Sequence, residues 1–95
     1  MSIEYIPPPA PLVEIYTKDH CPYCIRAIDL LQSKNVPFIV IDLQAHPEKI
    51  SEMLGRASNR RSVPQIFINN QHIGGCDDLY KMNAQGLLDR LFTGP

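Results

Sequence analysis

The chain has 95 residues, with nine Lys+Arg against ten Asp+Glu and a formal net charge of -1 at pH 7. That length allows one compact domain and no second, and so short a chain buries only about two thirds of its unfolded surface. The balanced charge excludes the broad basic field of a nucleic-acid binder, and no apolar run approaches the ~20 residues of a spanning helix, so neither nucleic acid nor membrane is expected as a partner.

Residues 1–11 read as a proline-rich extension, with Pro7, Pro8, Pro9 and Pro11 among the nine prolines of the chain. Such segments favour extended polyproline geometry and form no core of their own. Glu4 and the prolines occupy the place where a signal peptide needs positive charge followed by an apolar stretch. A soluble, cytoplasmic protein is expected, with its domain at residues 12–93.

From Leu12 to Thr17 the run Leu-Val-Glu-Ile-Tyr-Thr is rich in β-branched and aromatic residues and predicts a strand. A polar turn, Lys18-Asp19-His20, leads to a helix opening at Cys21, with Pro22 suited to its first turn. Cys24, Ile25, Ile28 and Leu31 recur at helical spacing as its buried stripe. Asn35 and Pro37 end it. Phe38 to Asp42 is nearly unbroken apolar sequence, as expected of a strand covered on both faces.

A second helix begins at Pro47, with Ile50, Met53, Leu54 and Ala57 on one face, and a basic loop follows from Asn59 to Ser62. Gln65 to Ile68 predicts a third strand, and Asn69-Asn70 a tight hairpin into a fourth near His72-Ile73. Gly74-Gly75 breaks that strand. Asp77-Asp78 suits the first turn of a last helix, split near Asn83, with Leu87, Leu88, Leu91 and Phe92 packing inward. The order β-α-β-α-β-β-α makes the first two strands parallel and the last two a hairpin, a four-stranded mixed sheet flanked by helices. That is a thioredoxin-like α/β fold in minimal form.

Three cysteines are too few, and oddly numbered, for a secreted disulfide framework. Two of them form the pair Cys21-Pro22-Tyr23-Cys24. Cysteines at i and i+3 on one helical turn can close a disulfide. At the helix N-terminus, unpaired N–H groups and the dipole favour an anion, so Cys21 is the expected thiolate nucleophile, assisted by Lys18. Cys24, in the buried stripe, is the expected resolving thiol. A zinc site is the competing reading, since Cys-x-x-Cys is half of a tetrahedral ligand set. The remaining candidate ligands, Cys76, His20, His46 and His72, are scattered and unpaired in sequence, and the histidines read as surface or loop residues.

Three motifs together, Tyr16-Thr17-Lys18 before Cys21-Pro22-Tyr23-Cys24, Arg61-Ser62-Val63-Pro64-Gln65, and Gly74-Gly75-Cys76-Asp77-Asp78, resemble the small bacterial dithiol glutaredoxins. The resemblance runs from about Leu12 to Phe92. It implies a redox-active Cys21–Cys24 disulfide, a cis Pro64, and a glutathione site. Glutathione carries two carboxylates and an ammonium group, and its sulfur must reach Cys21. Lys18 and Arg61 suit the glycine carboxylate, Arg by a forked pair of hydrogen bonds. The last helix's N-terminus, near Cys76 and Asp77, suits the γ-glutamyl carboxylate. Asp77 or Asp78 suits the ammonium group, and Val63 can pair with the cysteinyl backbone like an added strand. Tyr23 is placed to touch the substrate, and Ser62 stands where the family more usually has threonine.

Each residue has a plainer reading: Arg61 as a solvated loop charge, Asp77 and Asp78 as helix caps, Tyr23 as ordinary surface, Cys76 as a small apolar filler with backbone contacts. The resemblance further implies a glutathione-dependent thiol–disulfide oxidoreductase. It would reduce protein disulfides and glutathionylated substrates and donate electrons to reductases such as ribonucleotide reductase. Such a protein acts as a monomer with glutathione as co-substrate and no tightly bound cofactor. Two alternatives remain at this level: a glutaredoxin bridging a [2Fe-2S] cluster, against which Pro22 argues, and a redoxin reduced by thioredoxin reductase, against which Arg61 and the Gly74-to-Asp78 motif argue.

Overall fold

A computed structural model of the chain describes residues 10–93, so most of the proline-rich extension lies outside the described residues. The elements follow as β1 (Val13–Thr17), α1 (Pro22–Ser33), β2 (Ile39–Asp42), α2 (Lys49–Arg56), β3 (Gln65–Ile68), β4 (Gln71–Gly74), α3 (Cys76–Ala84) and α4 (Leu87–Thr93). The strands form one sheet in the order β2-β1-β3-β4. β1 runs parallel to β2, joined through α1 as a parallel pair requires, and antiparallel to β3, which pairs with β4 as a hairpin. This is the thioredoxin-like arrangement expected from the sequence.

Alternation along β1 divides the core in two. Val13 and Ile15 join Ile66 and Ile68 of β3 in a cluster closed by α1, α3 and α4 through Ala27, Leu31, Leu79 and Leu88. Tyr16 faces the other side and joins Phe67, Leu43 and the α2 residues Met53 and Ala57. Each fully buried aliphatic side chain contributes roughly 1.5–3 kcal/mol of transfer free energy. The sheet is therefore held from both faces.

The hairpin turn is formed by Asn69 and Asn70, both at positive φ (51° and 66°), the left-handed pair that a tight two-residue hairpin needs and that asparagine tolerates. Asn69 also binds both backbone groups of Leu12: its N–H donates to the Leu12 carbonyl at 2.7 Å, and its Oδ1 accepts from the Leu12 N–H at 2.9 Å. The start of β1 is thereby tied to the β3–β4 turn.

Three sequence expectations are corrected. β2 is an edge strand, and Ile39 and Val40 are 52% and 47% exposed instead of covered on both faces. α2 is only eight residues long, and Ile41 packs against its cluster while Ile39 does not. In α1 the buried residues are Cys24, Ala27, Leu30 and Leu31, and Ile25 is 58% exposed. Ile25 lies ~100° round from Cys24, on the side away from Ala27 and Leu30. The last helical stretch is split near Asn83 as expected, with the break at Gln85-Gly86, where Gly86 adopts φ +75°. Leu87, the first residue after that break, is exposed, whereas Leu88 is buried and Leu91 and Phe92 pack inward as expected.

Candidate active site

Cys21 occupies the N-cap of α1, with extended backbone (φ -114°, ψ 98°) and Pro22 at the first helical position. Its Sγ accepts from the Cys24 N–H at 3.1 Å, which satisfies one of the helix's open donors. The two cysteines are joined in a disulfide across 5.2 Å between Cα atoms. Cys24 is buried and Cys21 is partly exposed, so the two sulfurs are inequivalent in access. The Val63 carbonyl oxygen lies 3.9 Å from Cys21 Sγ, and the Val63–Pro64 peptide bond that follows is cis, as the resemblance implied.

A groove of about 190 Å³ runs from this point. Tyr23 lies along one side, Ser62, Val63 and Pro64 along the floor, and Gly75, Cys76, Asp77 and Asp78 at the opening of α3. Seven of the predicted binding residues thus share one concavity. Lys18 and Arg61 line a separate cavity of about 240 Å³, floored by Leu43, Ile50, Met53 and Leu54. Among the described residues neither Lys18 nor Arg61 forms an ion pair.

Arg60, which the motif reading passed over in favour of Arg61, lines the groove itself and pairs with Asp78 at 3.3 Å. The motif pointed to Arg61; which of two adjacent arginines lines the groove depends on the conformation of the loop. Asp78 also accepts from the Gly75 N–H at 2.9 Å and so caps α3. That backbone hydrogen bond, with Arg60 beside it, holds its carboxyl below the usual aspartate range. Asp77 is exposed, with no hydrogen-bond or ion-pair partner among the described residues. One aspartate is therefore a cap and the other is available.

Cys76 is a buried free thiol whose pKa is pushed up, chiefly by burial. Tyr23 is exposed, with the Arg26 guanidinium 6.0 Å from its ring centre. His72 is not the surface residue expected: it is partly buried in β4, its ring stacked on Phe67 at 5.0 Å. Burial lowers its pKa, and Arg60 and Arg56 act in the same direction against Asp78. Its Nε2 lies 2.7 Å from Gln65 Oε1, and the Gln65 amide donates to the Ser62 carbonyl at 2.9 Å. Sequence reasoning missed this connection, since Gln65 and His72 belong to different strands.

A Cys-x-x-Cys disulfide at a helix N-terminus, faced by a cis-proline loop on a thioredoxin-like sheet, defines a dithiol–disulfide redox protein. Residues 13–73 match the family described as Glutaredoxin. The chain is 57% identical over 79 residues to Glutaredoxin 3 of Escherichia coli (strain K12), a match covering 83% of this chain and 94% of the relative. It is 48% identical over 83 residues to the Glutaredoxin of Pseudomonas aeruginosa, covering 87% and 98%. The solution structure of glutaredoxin from Brucella melitensis superposes with a TM-score of 0.76 at 49% identity, covering 94% of this chain and 97% of that one. The crystal structure of a buckwheat glutaredoxin–glutathione complex does so with a TM-score of 0.79 at 27% identity, covering 87% and 77%. The chain belongs to the glutaredoxin family and is a thiol–disulfide oxidoreductase.

Proposed function

We propose that this oxidoreductase draws its electrons from glutathione and reduces both glutathionylated substrates and protein disulfides. The observation that carries this reading is the groove between Tyr23, the Ser62–Pro64 segment and the N-terminus of α3, one of whose lining residues, Val63, has its carbonyl 3.9 Å from Cys21 Sγ. The buckwheat relative in complex with glutathione supports it. In that groove Val63 offers backbone to the cysteinyl residue, the opening of α3 offers N–H groups to the γ-glutamyl carboxylate, and Asp77 accepts from the ammonium group. Lys18 and Arg61, which line the separate cavity, hold the glycine carboxylate.

Reaction begins with the Cys21 thiolate, favoured by its place at the α1 N-terminus. With a mixed disulfide it attacks the glutathionyl sulfur. A Cys21–glutathione disulfide forms and the substrate leaves as a thiolate that takes a proton. A second glutathione thiolate then attacks that sulfur, which releases oxidised glutathione and restores Cys21. With a protein disulfide, Cys21 forms a mixed disulfide with the target, and Cys24 as thiolate attacks the Cys21 sulfur. The target departs reduced and Cys21–Cys24 is left oxidised, as in this structure. Two glutathiones supply the two electrons that reopen it. Glutaredoxin potentials of about -200 to -230 mV make that step favourable against the cytosolic glutathione pool.

The same reading includes a cytoplasmic monomer, catalytically sufficient from residue 12 to 93, serving reductases such as ribonucleotide reductase. No helix among the described residues is long and apolar enough to cross a membrane. A glutathione-reductase-coupled assay on a small glutathione mixed disulfide tests the proposal. NADPH consumption that needs both glutathione and this protein is the expected result. Turnover sustained by thioredoxin reductase without glutathione would replace it with the other redoxin reading.

A further inference from the structure

The loop that floors the groove is anchored from a place the redox chemistry does not touch. Gln65 is fully buried at the start of β3, and its Nε2 donates to the Ser62 carbonyl at 2.9 Å, with Ser62 Oγ at 3.3 Å. With the amide nitrogen committed to Ser62, Oε1 is left to accept, and the group it faces is His72 Nε2 at 2.7 Å. The hydrogen between them therefore belongs to His72, as the Nε2–H tautomer. The ring cannot swing freely. It stacks on Phe67 with 27° between planes, and the Arg56 guanidinium lies 4.0 Å from the Phe67 ring centre. A donor on β4 thus orients a buried amide on β3, and the amide holds the backbone one residue before Val63, whose carbonyl lies 3.9 Å from Cys21 Sγ.

We propose that His72 is a positioning residue for the glutathione groove, acting through Gln65 to fix the Ser62 carbonyl and with it the backbone edge that Val63 presents. The proposal rests on the glutathione reading given above. If Gln65 loses its orienting donor, its amide can turn over and offer Ser62 an oxygen where a donor is needed, two acceptors facing one another in a buried place. The consequence falls on binding, because the Val63 edge meets substrate, and spares the cysteine chemistry, because Cys21 is held by α1.

His72→Phe keeps the ring on Phe67 and removes the donor, and His72→Gln restores an N–H of similar reach. The expected result is a KM for the glutathione mixed disulfide raised about tenfold in His72→Phe, the size of one lost buried hydrogen bond, with kcat nearly unchanged and KM recovered in His72→Gln. Alkylation of Cys21 in the reduced protein should proceed at the same rate in all three. A folded His72→Phe with wild-type KM, or with kcat reduced instead, would overturn the role. Imidazole ¹⁵N shifts of the unmodified protein test it independently of any variant: the Nε2–H form is required, and a ring protonated only on Nδ1 overturns it. Absence of glutathione-dependent turnover in the unmodified protein would overturn the glutathione reading itself, an outcome distinct from a KM unmoved by His72→Phe.

Discussion

Cys21 and Cys24 stand three residues apart in chemically different places, one partly exposed at a helix cap and one buried in the first turn. The proposed roles follow from that difference, and substrate choice separates them. Cys21→Ser should abolish turnover of every disulfide, because serine's hydroxyl is not ionised near neutral pH and offers no nucleophile. Cys24→Ser should retain turnover of a small glutathione mixed disulfide and lose activity on protein disulfides, where an intramolecular thiol has to resolve the mixed species. Assay of both variants on both substrates checks this, and equal loss in folded Cys24→Ser would show a strictly dithiol cycle. The paired arginines divide similarly. Arg61 is without an ion-pair partner among the described residues, whereas Arg60 is held by Asp78. Arg61→Glu should raise the KM for glutathionylated substrate about ten- to a hundredfold at low salt and less at high salt, as expected on losing a charge-assisted hydrogen bond. An unchanged KM at low salt would make Arg61 a solvated loop charge.

At the scale of elements, the passage from β4 to α3 shapes one wall of the groove. Gly74 ends β4 at φ +121°, a conformation that side-chain-bearing residues rarely adopt, and a Cβ there would run into the Asp78 carboxylate. That carboxylate caps Gly75 and pairs with Arg60, so one glycine protects both the helix cap and the groove wall. Gly74→Ala should lower stability by about 1–3 kcal/mol through backbone strain and displacement of the cap, read as a lower urea midpoint with unchanged slope. Asp78→Ala, which loses the cap without the strain, should cost about 1 kcal/mol. Equal losses in the two variants would remove the backbone contribution. The β2 edge marks the other limit of element-level order, where Ile39 and Val40 have a strand on one side only.

At the scale of the whole molecule, one charge network bridges the sheet and α2. Arg56 donates twice to Glu14, at 2.8 and 3.2 Å, and once to the Tyr16 hydroxyl at 2.9 Å, while that hydroxyl donates to Glu52. Burial raises the pKa of Tyr16 above its ordinary 10.0, and the bond from Tyr16 lowers that of Glu52 below 4.5. Asp78 is lowered below 3.8 and His72 below 6.5. The signs fix the pH dependence of stability. Where a folded pKa is depressed, the unfolded chain binds the proton more readily, so stability is full above the ordinary value and lost as pH falls through the folded one. His72 therefore begins the loss below about pH 6.5, and the carboxylates extend it below about 4.5. Tyr16, with its pKa raised, gives stability that is full below about pH 10 and lost as pH rises further. Urea midpoints measured from pH 3 to 11 should show a plateau between those limits. A maximum below pH 6 would contradict it, and His72→Gln should remove the first acid step.

Local rules in the amino-acid order determined the strands, the Asn69-Asn70 turn, the Cys-x-x-Cys pair at a helix start and the motif before Pro64, because propensity, spacing and turn chemistry act over a few residues. The same rules misjudged Ile25, Ile39, Val40 and Leu87, whose burial depends on which element lies opposite and how far it reaches. Only the tertiary structure decided that β2 is an edge, that Arg60 shares the groove with Asp78 while Arg61 lies beside Lys18, and that His72 reaches Ser62 through Gln65. Hydrogen bonds and cavities between strands depend on sheet order and register, and no periodicity along a single strand encodes its neighbour on the next.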